Sequence, residues 1–259
     1  MRGTERAAIV RVMTSTDTLF VFDLDGTLYD TSSSFLPTMN AVYREYAVEP
    51  PSDDTLLGLV GEPFPSFVDW LIAQGFSLDK SVLARRIAEL EFAAIPKRGR
   101  LYPGVPETLA ALRERGARLA LCTNGDIHYA GLILDTFGLS PLFDRISTHS
   151  DGSGAKTERL RGLILSDGCS RCVMVGDRYN DMQAGQANGC TTVGAGYGFP
   201  RPGELDEADL VIEQFSDLLT FPEPVRVGLE RDLESAAGIP CDDCRDSLDR
   251  DRLADRLLE

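Results

Sequence analysis

The spacing of apolar residues changes character twice along the chain. Leu19, Phe20, Val21 and Phe22 form a short unbroken apolar run, the mark of a parallel-type strand covered on both faces. From Phe35 to Ile95 the period becomes helical, with apolar residues three or four apart at Phe35, Met39, Val42 and Tyr46, then Phe67 and Leu71, then Val82, Ile87 and Leu90. Turn signals at Pro50-Pro51, Gly61-Glu62-Pro63 and Gly75 divide this stretch into about four helices, and no strand pattern interrupts it. From Pro103 onward strands and helices alternate. Strands are expected at 118–122, 143–147, 172–175 and 191–194, with a last short one at 210–212. Helices are expected at 105–115, after Thr123-Asn124-Gly125 through Phe137, at 157–165 and at 181–187. This alternation predicts an α/β fold, a parallel sheet flanked by helices, with an all-helical insert. The expected organisation is a core of residues 1–30 and 100–223, an insert at 31–99, and a charged C-terminal tail at 224–259 whose thin stripe of leucines suits a terminal helix. Residues 1–17 read as a loose leader.

Charge narrows the partners. The chain holds 26 Lys and Arg against 41 Asp and Glu, a formal net charge of −15, and such a chain lacks the basic stripe that nucleic acid or an anionic membrane requires. No apolar run approaches the ~20 residues of a bilayer span, and the first residues lack the apolar centre of a signal peptide, so a cytoplasmic location is expected. The six cysteines do not suggest a disulfide scaffold. Cys169-x-x-Cys172 and Cys241-x-x-Cys244 could in principle pair around zinc, but they lie much further apart than the halves of a zinc ribbon and read as incidental thiols.

Polar clusters fall just past the ends of four predicted strands: Asp23 with Asp25, Thr123 with Asn124, Lys156, and Asp177 with Asp181. In a parallel sheet those ends meet in one crevice. Asp23 and Asp25 end an apolar strand one residue apart, and strand alternation would aim both to one face. Like charges that close raise one pKa unless a cation lies between them. Four carboxylates with one lysine and one hydroxyl suit Mg²⁺ and a phosphoryl group, because Mg²⁺ takes oxygen ligands and shares phosphate oxygens. Of the three lysines, Lys80, Lys97 and Lys156, the last is the best placed. Other candidates have plainer readings. His128 and His149 suit the surface, Arg178 a surface ion pair, and Phe64, Phe67 and Trp70 the core of the helical insert.

The segments DLDGTLYD, CTNG, the lone lysine and GDRYND, in this order, resemble the four motifs of the haloacid dehalogenase-like hydrolases, over about Leu19 to Val193. The helical insert resembles the cap of the phosphoglycolate phosphatase and β-phosphoglucomutase branch, Gly61-Glu62-Pro63-Phe64 resembles a substrate-facing cap loop, and YPGVPETLAALRERG resembles the segment that re-enters the core. The resemblance implies a Rossmann-like core and a Mg²⁺-dependent phosphatase of small phosphorylated metabolites, monomeric or homodimeric. It implies that Asp23 is the nucleophile that becomes an aspartyl phosphate. Asp25 would protonate the leaving alkoxide, then deprotonate water, and its backbone carbonyl would ligate the metal. Thr123 and the Asn124 N–H would hold a phosphoryl oxygen at a helix N-terminus, Lys156 would pair with Asp23 and the phosphate, Asp177 would ligate the metal, and Asp181 would ligate it or orient a ligand. Thr157 departs from the proline usual after the lysine in this branch. A phosphomutase and a non-catalytic binding protein that keeps the fold are the alternatives.

Overall fold

The computed structural model describes residues 17–151 and 154–220. The predicted C-terminal tail, most of the leader and Cys241 with Cys244 lie outside them. Six parallel strands form one sheet in the order β3-β2-β1-β4-β5-β6. They are β1 (Thr18–Phe22), β2 (Arg118–Cys122), β3 (Arg145–Ser147), β4 (Arg171–Gly176), β5 (Thr191–Ala195) and β6 (Leu210–Ile212). The chain leaves the sheet after β1 for an inserted all-helical cap made of α1 (Ser32–Glu45), α2 (Asp53–Leu57), α3 (Phe64–Ala73) and α4 (Lys80–Arg98). It returns through α5 (Val105–Glu114), and α6 (Ile127–Thr136), α7 (Lys156–Asp167) and α8 (Tyr179–Ala187) complete the flanking layers.

The apolar strands alternate between two buried layers, as a sheet covered on both faces must. Phe20 and Phe22 of β1, with Leu119, Leu121, Val173 and Val175, pack on the α5 and α6 side. Leu19 and Val21, with Ala120, Cys122, Cys172 and Met174, pack on the α7 and α8 side. Asp23 continues the odd-numbered series and so leans toward the N-termini of α7 and α8. The cap has its own core, in which Phe35, Met39, Val42, Phe67, Leu71, Leu83 and Ile87 are buried together. The cysteines in described segments are free thiols, with Cys172 and Cys190 buried and Cys169 half-buried.

Sheet order decides where the chemistry lies. Chain order reverses between β1 and β4, the switch point at which ligands bind outside strand ends in such folds. Phe22 pairs with Leu121 on one side and Val175 on the other, so the residues that follow these strands emerge side by side.

Candidate active site

Asp23 leaves β1 with its N–H donating to the Val175 carbonyl at 2.9 Å, which fixes the carboxylate over the end of β4. Lys156 is the first residue of α7, and Asp181 sits in the first turn of α8. The buried Lys156 ammonium donates to Asp23 Oδ1 at 2.7 Å and to Asp181 Oδ1 at 2.5 Å. Asp181 Oδ2 also accepts the Arg178 N–H at 3.1 Å, so one carboxylate caps α8 and anchors the lysine.

Asp177 follows β4 and is fully buried. Its Oδ2 accepts the Phe199 N–H at 2.7 Å, while its Oδ1 has no hydrogen-bond partner. Gly26, at φ +73°, makes room for this carboxylate, since a Cβ there would lie 2.0 Å from Asp177 Oδ2. Among the described residues, Asp23, Asp177 and Asp181 form one cluster with a carboxylate oxygen from each within 4.8 Å of the others. Burial pushes Asp23 up to about 7, with Lys156 opposing it and Asp181 and Asp25 adding to it. Burial, then the Asp23 and Asp181 charges, holds Asp177 well above its ordinary value. Burial works against the charge on Lys156, but the Asp181 and Asp23 carboxylates outweigh it and keep that ammonium protonated. Three buried carboxylates, one with an orphaned oxygen and the other two paired with one lysine, fit a divalent cation bound through oxygen.

Asp25 lines the same cavity as Asp23, with Leu24 buried in the opposite layer beside Phe20 and Phe22. Strand β1 ends at Phe22, and the loop after it turns back through the bridge between Asp25 and Tyr29. The Asp25 carboxylate is outside the three-acid cluster. Its Oδ1 accepts from Thr31 Oγ1 at 2.7 Å and from Tyr129 Oη at 2.6 Å. Burial raises its pKa, against the pull of these two hydrogen bonds. Asp23 and Asp25 still line one cavity of about 140 Å³ between core and cap.

Thr123 and Asn124 line the same cavity, but the helix expected to start beside them begins at Ile127. Asp126 caps that helix, its Oδ1 accepting the His128 and Tyr129 N–H groups at 2.8 and 3.0 Å. The donors of the helix terminus are therefore occupied, and Thr123-Asn124 lies in the preceding loop. Buried Arg159 fastens that loop by donating to Asn124 Oδ1 at 2.7 Å and to the Thr123 carbonyl at 3.2 Å. Arg178 is not on the surface. It is buried, pairs with Glu204 at 2.8 Å and donates to the Val60 carbonyl of the cap. Asn124 Nδ2 donates to the Gly61 carbonyl at 3.2 Å, so core and cap meet around the cavity. Gly61, Glu62, Phe64 and Phe67 line it, whereas Trp70 packs against the cap core and His128 and His149 are exposed.

A family model described as "haloacid dehalogenase-like hydrolase" matches residues 18–189. The chain belongs to this family. The hydrolase is 32% identical over 207 residues to a phosphoglycolate phosphatase of Caulobacter vibrioides, an alignment covering 76% of this chain and 87% of the relative. It is also 31% identical over 202 residues to tyrosine-protein kinase PtkA of Mycobacterium tuberculosis, covering 75% of this chain and 67% of that one. The crystal structure of a predicted phosphoglycolate phosphatase from Haemophilus somnus superposes with a TM-score of 0.71 at 26% identity, covering 79% of this chain and 97% of that one. Family membership makes the chain a hydrolase whose motif-bearing loops are the ones that line the cavity. Among the described residues no helix is long and apolar enough to cross a membrane.

Three residues of the site escape a motif-based reading. Thr31 and Tyr129 reach Asp25 from elements that carry no motif. The third, Glu91, lines the cavity from α4. Its sequence signal is a broken row, because Leu83, Ile87 and Ile95 are fully buried at four-residue steps and the position between the last two is a glutamate. Burial pushes Glu91 up to about 8, with the Asp25 and Asp126 charges adding to the shift.

Proposed function

We propose that this hydrolase is a Mg²⁺-dependent phosphatase that cleaves small phosphomonoesters through an aspartyl phosphate on Asp23, with residues 31–99 acting as the cap over the site. The enzyme is a phosphoric monoester hydrolase. The observation that carries the proposal is the division of carboxylates at one site. Asp23, Asp177 and Asp181 cluster, with Lys156 paired to Asp23 and Asp181, while Asp25 stands apart on two hydroxyl donors.

Asp23, Asp177 and Asp181 would hold the cation, joined by the backbone carbonyl of Asp25. When bound, Mg²⁺ offsets the negative charge of the three acids and of the transferring phosphoryl group. An Asp23 carboxylate oxygen attacks phosphorus and the ester P–O bond breaks. Protonated Asp25 gives its proton to the departing alkoxide, and burial favours that protonated form. The ionised Asp25 then takes a proton from water as the water oxygen attacks the aspartyl phosphate, returning Asp23 and releasing inorganic phosphate. Lys156 holds Asp23 in position and contributes its charge to the phosphoryl oxygens, while Thr123 and the Asn124 N–H orient them.

The kinase name of one relative does not carry over well to this cavity. At about 140 Å³ it is below the ~300–1,000 Å³ of drug-sized sites and suits a small ester better than a nucleotide. Among the described residues no histidine lines it, which favours transfer to water over the sugar-to-sugar transfer of a mutase. Incubation of the protein with Mg²⁺ and a panel of small phosphoesters should release inorganic phosphate, and Asp23→Asn should abolish the release. Phosphate-free isomerisation of a sugar phosphate, or full activity in Asp23→Asn, would refute the reading.

A further inference from the structure

The wall that the cap contributes to the cavity is apolar and acidic, and this restricts what the phosphoryl group can be attached to. Phe35, Phe64, Phe67 and Phe92 line it from the cap. Charged residues also face it. Glu91 and Glu62 come from the cap and Asp126 from the core, and among the described residues the bases that line the cavity are Lys156 and Arg178. Neither base is open to a leaving group. Lys156 is bound to Asp23 and Asp181 beside the phosphoryl position, and Arg178 is held by Glu204 and the Val60 carbonyl. Glu62 has Arg201 at 3.2 Å, and Asp126 accepts two backbone N–H groups, whereas no hydrogen bond or ion pair to the Glu91 carboxyl is found among the described residues. Glu91 is half-buried and interrupts the row of buried Leu83, Ile87 and Ile95 along α4, so its carboxyl opens on the cavity from an otherwise apolar face.

We propose that the leaving group of the natural substrate carries an ammonium, which Glu91 receives against the phenylalanine wall, and that the site discriminates against leaving groups carrying a carboxylate. Aromatic faces with one adjacent carboxylate form a recurrent receptor for an amine, since ring and carboxylate both attract positive charge. A carboxylate in the same place would meet Glu91, Glu62 and Asp126 with no free base to offset them. The substrate class is then a phosphorylated amino alcohol of small size. This inference rests on the phosphatase reading and sharpens it, because it sets the enzyme apart from relatives whose name specifies phosphoglycolate.

Three probes of similar size separate the possibilities: 2-aminoethyl phosphate, ethyl phosphate and phosphoglycolate, with acetyl phosphate as a generic phosphoryl donor. Assays with Mg²⁺ at pH 8.5, above the value of about 8 to which burial and neighbouring acids raise Glu91, favour its charged form. We expect kcat/KM for 2-aminoethyl phosphate to exceed that for phosphoglycolate by at least about 10-fold, and that for ethyl phosphate to fall between them. Glu91→Gln should lower the ratio of kcat/KM for 2-aminoethyl phosphate to that for phosphoglycolate several-fold. A merely structural role for Glu91 would lower all rates together and preserve the ratio, which would overturn the assignment. Phosphoglycolate cleaved as well as or better than 2-aminoethyl phosphate, or ethyl phosphate cleaved as well as the amine, would overturn the inference and leave the phosphatase reading intact. No phosphate release from any probe, acetyl phosphate included, would overturn both.

Discussion

Replacing Tyr129 with phenylalanine isolates the device that holds the proton-transferring carboxylate. The Tyr129 hydroxyl donates to Asp25 Oδ1 at 2.6 Å, and Thr31 donates to the same oxygen at 2.7 Å. A hydrogen bond to a charged group contributes about 1.5–3 kcal/mol. The tyrosine also stabilises the neutral acid to some degree, so roughly half of that distinguishes the two protonation states of Asp25. At about 1.4 kcal/mol per pKa unit, its loss raises Asp25 by about one unit beyond the rise that burial already causes. The direction follows from the donor. A hydroxyl favours the carboxylate, so deleting it favours the acid. In Tyr129→Phe the alkaline limb of kcat/KM, where Asp25 loses the proton destined for the alkoxide, should move up by about one pH unit. The hydrolysis step needs the ionised form, so kcat near pH 7 should fall by about 3- to 10-fold. The assay is phosphate release from phenyl phosphate across pH 5 to 9, with urea unfolding as a control for the fold. Limbs that stay in place while the rate drops equally at every pH would refute the argument, because the hydroxyl would then only be filling space.

Two further outcomes follow from the buried acids. Gly26→Ala places a methyl about 2.0 Å from Asp177 Oδ2 at a φ of +73°. The backbone strain is about 1–2 kcal/mol, and the displaced carboxylate should weaken Mg²⁺ binding by at least about 10-fold, seen as loss of the rise in melting temperature that Mg²⁺ gives the wild type. Normal Mg²⁺ stabilisation in this variant would show that Asp177 does not hold the ion. Glu91, raised from 4.5 to about 8, binds its proton more tightly folded than unfolded. Its effect is absent below pH ~4.5 and becomes a net cost as pH climbs from there through about 8. Full conversion of the shift gives about 5 kcal/mol, and solvent at the cavity mouth brings this to the order of 2–3 kcal/mol. Glu91→Gln should therefore stabilise the protein at pH 8.5 and change little at pH 4.5, as read by urea midpoints. Equal effects at both pH values would remove the charge from the explanation.

Much of the architecture was legible in the chain because period and strand ends carry it. Continuous apolar runs mark strands buried on two faces, and helical spacing between 35 and 95 marks the cap. Once the sheet is parallel, strand ends must converge, so Asp23, Thr123, Lys156, Asp177 and Asp181 could be placed near one another without coordinates. Local chemistry shifted the details. Asp126 captures the first donors of α6, so that helix starts at Ile127 and does not offer them to a ligand beside Thr123-Asn124. The turn after Phe22 gives Asp25 the Thr31 and Tyr129 hydroxyls as partners, outside the cluster that Asp23 joins.

What the sequence determined by itself is the order of strands and helices, the helical cap and the set of acids at the strand ends, since these depend on spacing along one chain. Only the tertiary structure decided which partner each acid has. Tyr129 meets Asp25 across 104 positions, and Lys156 meets Asp23 across 133. Glu91 turns toward the cavity because the phase of α4 against α6 puts it there. Contacts of this kind depend on the angle and distance at which separate elements pack, to within an ångström, and a pattern of residues along a single element carries no record of either.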